Sequence, residues 1–232
     1  MNRKITEEIH RQIMAMISND YDEARTLSFT EPHLKFESVV KFLESEYPDK
    51  TINDNEFNEW LGYVGNPFRC ELFAYLATNF TGYSEKAFAN GLRYAYTTGY
   101  IQSLSTFFMF SSFFDSVDRN LLMEVEELET IKNLPDEVVI YRGGSNQEMK
   151  NGMLVYSWTL DESIAEFFAF RHTTKNRCVY KTTICKEEIL AYFDCRYEKE
   201  IIVEVGDADS VEIVTTEPTQ LYFAYMKSKQ NK

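Results

Sequence analysis

Three short stretches carry side chains whose chemistry and spacing suit a reactive site. In Val139-Ile140-Tyr141-Arg142-Gly143-Gly144 a guanidinium ends an apolar strand, just before two glycines that let a ligand approach the backbone. An arginine fork placed there suits a phosphate or a carboxylate. In Tyr156-Ser157-Trp158-Thr159 the strand period of two puts Ser157 and Thr159 on one face and Tyr156 and Trp158 on the other, so two hydroxyls line one side. In Tyr197-Glu198-Lys199-Glu200-Ile201-Ile202-Val203 two carboxylates at i and i+2 share a face at the mouth of an apolar strand. Like charges held together raise the cost of ionising both, which suits acid–base or electrostatic catalysis. Taken singly, each stretch also has an ordinary structural reading: a strand-end charge before a turn, a half-buried strand feeding a capped helix, and a solvated strand edge.

The elements that must position these residues fall into two regions. Up to about residue 132 the apolar residues recur at three and four, as in Ile13, Met16 and Ile17, Val39, Val40 and Leu43, or Leu72, Phe73, Leu76 and Ala77. This region reads as all-helical, with breaks at Thr30 to His33, Tyr47 to Asn55, Gly62 to Pro67 and Thr81 to Ser84. Ser84 caps one helix, and Asp118 caps the last, which ends near Lys132. From residue 133 the period changes. Val138 to Tyr141, Leu154 to Thr159, Val179 to Ile184 and Glu200 to Val205 read as short strands, and Val211 to Thr215 with Leu221 to Met226 as a closing pair. One helix, Ser163 to Arg171, capped by Asp161 or Ser163, interrupts them. The expected class is α+β, with helices over 1–132 and a mainly antiparallel β domain over 133–232.

The ordered set of Arg142, then Ser157-Trp158-Thr159, then Glu198-Lys199-Glu200 resembles the Arg-Ser-Glu class of ADP-ribosyltransferases, a group that includes arginine-modifying bacterial toxins and phage-encoded enzymes. The resemblance covers about Leu134 to Val205. It implies a two-sheet β-sandwich and NAD as substrate. It further implies that Arg142 holds an NAD phosphate or ribose, that the Gly143 backbone faces the nicotinamide amide, and that Ser157 orients the catalytic carboxylate. Glu200 would bond the 2′-hydroxyl of the nicotinamide ribose, and Glu198 would favour arginine as acceptor. Thr159, Phe168 and Arg171 join the NAD-binding set, with Phe168 or Phe170 beside the nicotinamide and Arg171 or Arg177 at the pyrophosphate. The segment Ala191 to Tyr197 would form an acceptor-recognising turn. The chain departs from the usual Ser-Thr-Ser in having Trp158 in the middle, where a side chain facing the core is tolerated.

Composition narrows the remaining choices. The net charge is -13, and residues 1–130 hold 11 Lys/Arg against 21 Asp/Glu, so most of the acidity lies in the helical region. Such a surface repels phosphate backbones, which argues against nucleic acid as partner or acceptor and leaves a protein acceptor, of unspecified identity. The four cysteines and three histidines show no metal-ligand spacing, so no metal site is expected, and free thiols suit a reducing compartment. Met1 to Ser18 reads as a polar amphipathic helix rather than a signal peptide. The uncharged run Tyr94 to Phe114 is too rich in Ser, Thr and Gly for a membrane span. A cytoplasmic enzyme is expected, of the kind a phage or a bacterial effector system employs. Two other functions use the same residues: an NAD glycohydrolase passing the ribosyl group to water, and a non-catalytic inhibitor binding a basic partner through the acidic helical region.

Overall fold

The computed structural model describes residues 36–101, 104–145, 156–171, 176–205 and 210–230. The expected N-terminal amphipathic helix and the break at Thr30 to His33 lie outside them. The chain divides into two compact units, Met1–Leu122 and Met123–Lys232.

The first unit is helical: α1 (Phe36–Glu46), α2 (Asp54–Tyr63), α3 (Asn66–Asn79), α4 (Glu85–Thr98), α5 (Leu104–Ser116) and the single turn α6 (Arg119–Leu122). The breaks fall where local chemistry puts them. Asn53 and Glu56 form a capping box that starts α2, and the Ser84 hydroxyl accepts from Ala87 N to start α4. Phe57, Phe73, Phe88, Phe110 and Phe113 pack mostly edge to face at centroid separations of 5.3 to 5.9 Å. The uncharged run is divided between α4 and α5, and no described helix is long and apolar enough to cross a membrane.

The helix expected to run from Asp118 to Lys132 is two helices. After α6 a second capping box, Glu124 with Glu127, starts α7 (Val125–Asn133), which belongs to the second unit. Tyr192 N donates to the Met123 sulfur at 3.2 Å, and Asp194 N donates to Glu127 Oε1 at 3.0 Å. These bonds join the start of α7 to the sheet, so the unit boundary falls ahead of α7 rather than at residue 132.

The second unit is built on one antiparallel six-stranded sheet: β1 (Glu137–Ser145), β2 (Trp158–Thr159), β3 (Arg177–Cys185), β4 (Ala191–Phe193), β5 (Glu200–Ile202) and β6 (Glu212–Thr215), in the order β4-β5-β2-β1-β3-β6. The protein is thus α+β. The described strands form this single sheet where a two-sheet sandwich was expected. Helix α8 (Glu162–Phe170), capped by Asp161 through Ser163 N, lies against β1. Its Ala165 and Ala169 pack with Val179, Tyr141 and Phe170.

Leu221 to Met226 is not a strand. It lies in α9 (Gln220–Gln230), and the reason is a carboxylate from a distant part of the chain. Glu166 on α8 is fully buried and accepts from Thr219 N at 3.0 Å, Thr219 Oγ1 at 2.5 Å and Tyr222 N at 3.1 Å. A charge meets the unsatisfied N–H groups at the helix start, satisfying both. Apolar and aromatic residues that would suit a strand are thereby drawn into a helix, with Phe167 against Tyr225 and Phe170 against Tyr222.

Candidate active site

Adjacent strands bring the three stretches together. In the sheet β5 pairs with β2 and β2 with β1, with Thr159 opposite both Tyr141 and Glu200. Arg142 on β1, Ser157 just ahead of β2 and Glu200 on β5, far apart in the chain, are therefore brought close together. Arg142, Gly143, Ser157, Thr159, Phe168, Arg171, Glu198 and Glu200 all line one cavity of about 360 Å³, with Tyr141, Trp158, Ile164, Ala165 and Arg177. That size suits a small-molecule site.

Strand β1 runs through Arg142 and both glycines to Ser145, so Arg142 is internal to the strand rather than at its end. Its Nη1 donates to the carbonyls of Tyr156 at 3.1 Å and Ser157 at 2.9 Å. These are the two residues before β2, and both are left-handed, with φ of 55° and 45°. Such backbone costs a side-chain-bearing residue about 1–3 kcal/mol and persists only where its surroundings enforce it. The Arg142 bonds supply that enforcement. Strand β2 begins only at Trp158, which is buried in the core as its position predicts.

The turn presents the Ser157 hydroxyl to the buried Glu200, where Ser157 Oγ donates to Oε1 at 2.7 Å. The other Glu200 oxygen, Oε2, accepts from Arg196 Nη2 at 3.0 Å, and the same nitrogen reaches Glu198 Oε2 at 2.9 Å. One guanidinium thus bridges both carboxylates. Glu198 sits between Tyr197 and Lys199, again left-handed at φ 57° and 46°. Thr159 Oγ1 donates to the Glu198 carbonyl at 2.7 Å, and Lys199 Nζ pairs with Asp161 Oδ2 at 2.9 Å. Burial holds the Glu198 carboxyl above the usual carboxylate range. The Glu200 charge adds to this effect, while Arg196, Arg171 and Lys229 oppose it.

Two expectations need correcting. Arg177 turns its guanidinium to the end of α8, donating through Nε to the Ala169 carbonyl at 3.0 Å and through Nη2 to that of Phe168 at 3.2 Å. It caps orphan carbonyls, although it borders the cavity. Ala191–Phe193 is the buried strand β4, so the exposed turn is confined to Asp194 through Lys199. Arg171 is exposed, with its guanidinium 4.4 Å from the centre of the Phe168 ring.

Gly143 serves a packing need that its motif reading passed over. A Cβ there would overlap the Ala165 carbonyl and stand 2.5 Å from Ala169 N. The missing side chain lets α8 lie directly on β1, and that contact places Phe168 at the cavity. Among the described residues no group of three or more His, Cys, Asp and Glu side chains is gathered to hold a metal. No known family, curated protein or solved structure matches the chain.

Proposed function

We propose that the second unit is an NAD-dependent mono-ADP-ribosyltransferase of the Arg-Ser-Glu class, which moves ADP-ribose from NAD to an arginine of a protein acceptor and releases nicotinamide. The observation that carries this reading is the hydrogen bond from Ser157 to the buried Glu200, with Glu198 beside it in the cavity lined by Arg142 and Phe168. Cleavage of the bond between ribose and nicotinamide passes through an oxocarbenium-like state, and a fixed, poorly solvated carboxylate stabilises that growing positive charge. Glu200 takes this role, bonding the ribose 2′-hydroxyl, and Ser157 orients it. The pyridinium leaves as a neutral molecule, so the reaction needs no strong acid. Glu198 accepts the proton that the acceptor guanidinium gives up, a task that a raised carboxyl suits. The Gly143 backbone faces the nicotinamide amide, Phe168 flanks its ring, and the exposed Arg171 meets the pyrophosphate. The reading extends to the fold: Arg142 on β1, Ser157 just ahead of β2 and Glu200 on β5 support assigning the sheet to the same enzyme class.

The test is incubation of the full chain with labelled NAD and a cell lysate. Nicotinamide release together with label on protein, both lost in Glu200→Gln, is expected. Absence of nicotinamide release and of labelled protein would overturn the proposal.

A further inference from the structure

Glu198 lies outside the ladder that holds its neighbour. Strand β5 begins at Glu200, which pairs with Thr159 on one side and Phe193 on the other, so the sheet fixes it. Glu198, two residues earlier, takes its place from the turn instead. Thr159 Oγ1 donates to the Glu198 carbonyl at 2.7 Å, and Leu160 N donates to the Lys199 carbonyl at 3.2 Å. Lys199 N donates to Asp194 Oδ1 at 3.1 Å, and Lys199 Nζ donates to Asp161 Oδ2 at 2.9 Å. The last of these ties the turn to a helix. Asp161 accepts from Ser163 N at 3.1 Å and from Ser163 Oγ at 2.6 Å, so its carboxylate is fixed at the start of α8, which brings Phe168 and Arg171 to the cavity. Burial pushes the Asp161 carboxyl up, but the bonds from Ser163 and Lys199 outweigh it and hold it below the usual carboxylate range. Lys199 itself is left-handed, with φ of 46°, a conformation that persists only where the surroundings enforce it. The tether to Asp161 supplies part of that enforcement.

We propose that Lys199 is a positioning residue: its tether to Asp161 aims the Glu198 carboxylate at the acceptor, so that ADP-ribose passes to a guanidine rather than to water. The inference rests on the transferase reading above. Cleavage of NAD depends on Glu200, which the ladder and Ser157 hold without help from the Lys199 side chain. Transfer asks more. Glu198 must stand within hydrogen-bonding reach of the guanidino nitrogen as that nitrogen bonds to C1′, and must take one proton from it. A displacement of about 1 Å costs such a step about 10²-fold. The effect falls on partition rather than on folding, because the two side chains are 49% and 31% exposed and an ion pair so open to solvent adds little to stability. With the tether cut, Glu198 follows a loosened turn, and hydrolysis to free ADP-ribose takes a larger share of each cleavage.

The experiment incubates the full chain with labelled NAD and agmatine, a small guanidino acceptor, and in parallel with cell lysate. Nicotinamide and acceptor-bound ADP-ribose are measured in the same reaction, and their ratio is compared among the parent, Lys199→Met, Asp161→Asn, the double variant and Lys199→Arg. Asparagine keeps the cap of α8 while removing the charge. Expected is a fall of about tenfold in acceptor-bound ADP-ribose per nicotinamide released in each of Lys199→Met and Asp161→Asn. The double variant should fall no further, and Lys199→Arg should recover the ratio, with the thermal midpoint retained throughout. If Lys199→Met fails to fold, Asp161→Asn decides. An unchanged ratio in a folded single variant, or losses that multiply in the double variant, overturns the tether's role and leaves the transferase reading standing. A parent that releases no nicotinamide, or releases it without labelling agmatine or protein, overturns both.

Discussion

Arg142 reaches the carbonyl of Ser157 at 2.9 Å, while the hydroxyl of the same serine is held by Glu200 on another strand. One residue is thereby gripped from two sides, its backbone by a cation and its side chain by an anion. Arg142→Ala removes two charge-assisted bonds from a left-handed turn and is expected to cost about 1–3 kcal/mol of stability. Nicotinamide release at saturating NAD should fall with it, because Ser157 no longer orients Glu200. A change confined to KM, with thermal melting unaltered, would assign Arg142 to direct NAD contact instead.

Gly143→Ala tests the contact between β1 and α8. The added methyl meets backbone atoms of Ala165 and Ala169, which cannot turn aside as a side-chain tip can. Overpacking of this kind costs about 1–3 kcal/mol and moves the helix. Denaturant unfolding should show a lower midpoint, and NAD affinity should weaken because Phe168 and Arg171 travel with α8. An unchanged midpoint would mean that the helix does not lie this close to the strand.

The two carboxylates should separate by substitution. Glu200→Gln keeps the shape and removes the charge, so nicotinamide release is expected to drop by about 10²–10³. Glu198→Gln should abolish transfer to arginine while hydrolysis of NAD to free ADP-ribose continues. Transfer that survives Glu198→Gln at full rate would take the proton-accepting role away from Glu198.

The raised Glu198 carboxyl has consequences with a defined sign. Its ordinary value is 4.5, and the folded protein holds this proton to higher pH than the unfolded chain does. Ionising it therefore costs stability as the pH climbs from 4.5 through the raised value. Glu198→Gln is expected to melt higher than the parent at neutral pH and to lose that advantage below 4.5. The acid limb of the transfer profile should likewise fall above the range of an ordinary glutamate. Parallel melting curves with a constant offset across this range would count against it.

The site residues could be read from the chain because each announces itself by type and spacing: Arg142 before two glycines, Ser157 two before Thr159, Glu198 two before Glu200. Their roles were less legible. Arg142 and Arg177 look alike as cavity cations, yet each donates to backbone carbonyls that only the tertiary fold brings near. Arg196 gave no signal in a turn of mixed charge, because its importance lies in distances across the turn. Strand period explains β1, β3 and β5, whose apolar runs are local. The helical fate of Leu221 to Met226 is set by Glu166, 53 residues before Thr219, and no local propensity reveals it.

The Glu166 carboxylate also links α8 to α9 mechanically. It is sealed from water and hydrogen-bonded from Thr219 and Tyr222, and it lies two residues before Phe168, which meets the cavity from the same α8. Clipping the chain ahead of Thr219 would leave this buried side chain without its hydrogen-bond donors, a cost that α8 relieves by tilting until water reaches it. Tail damage would then be felt as a loosened nicotinamide wall, without any atom of the pocket having been touched.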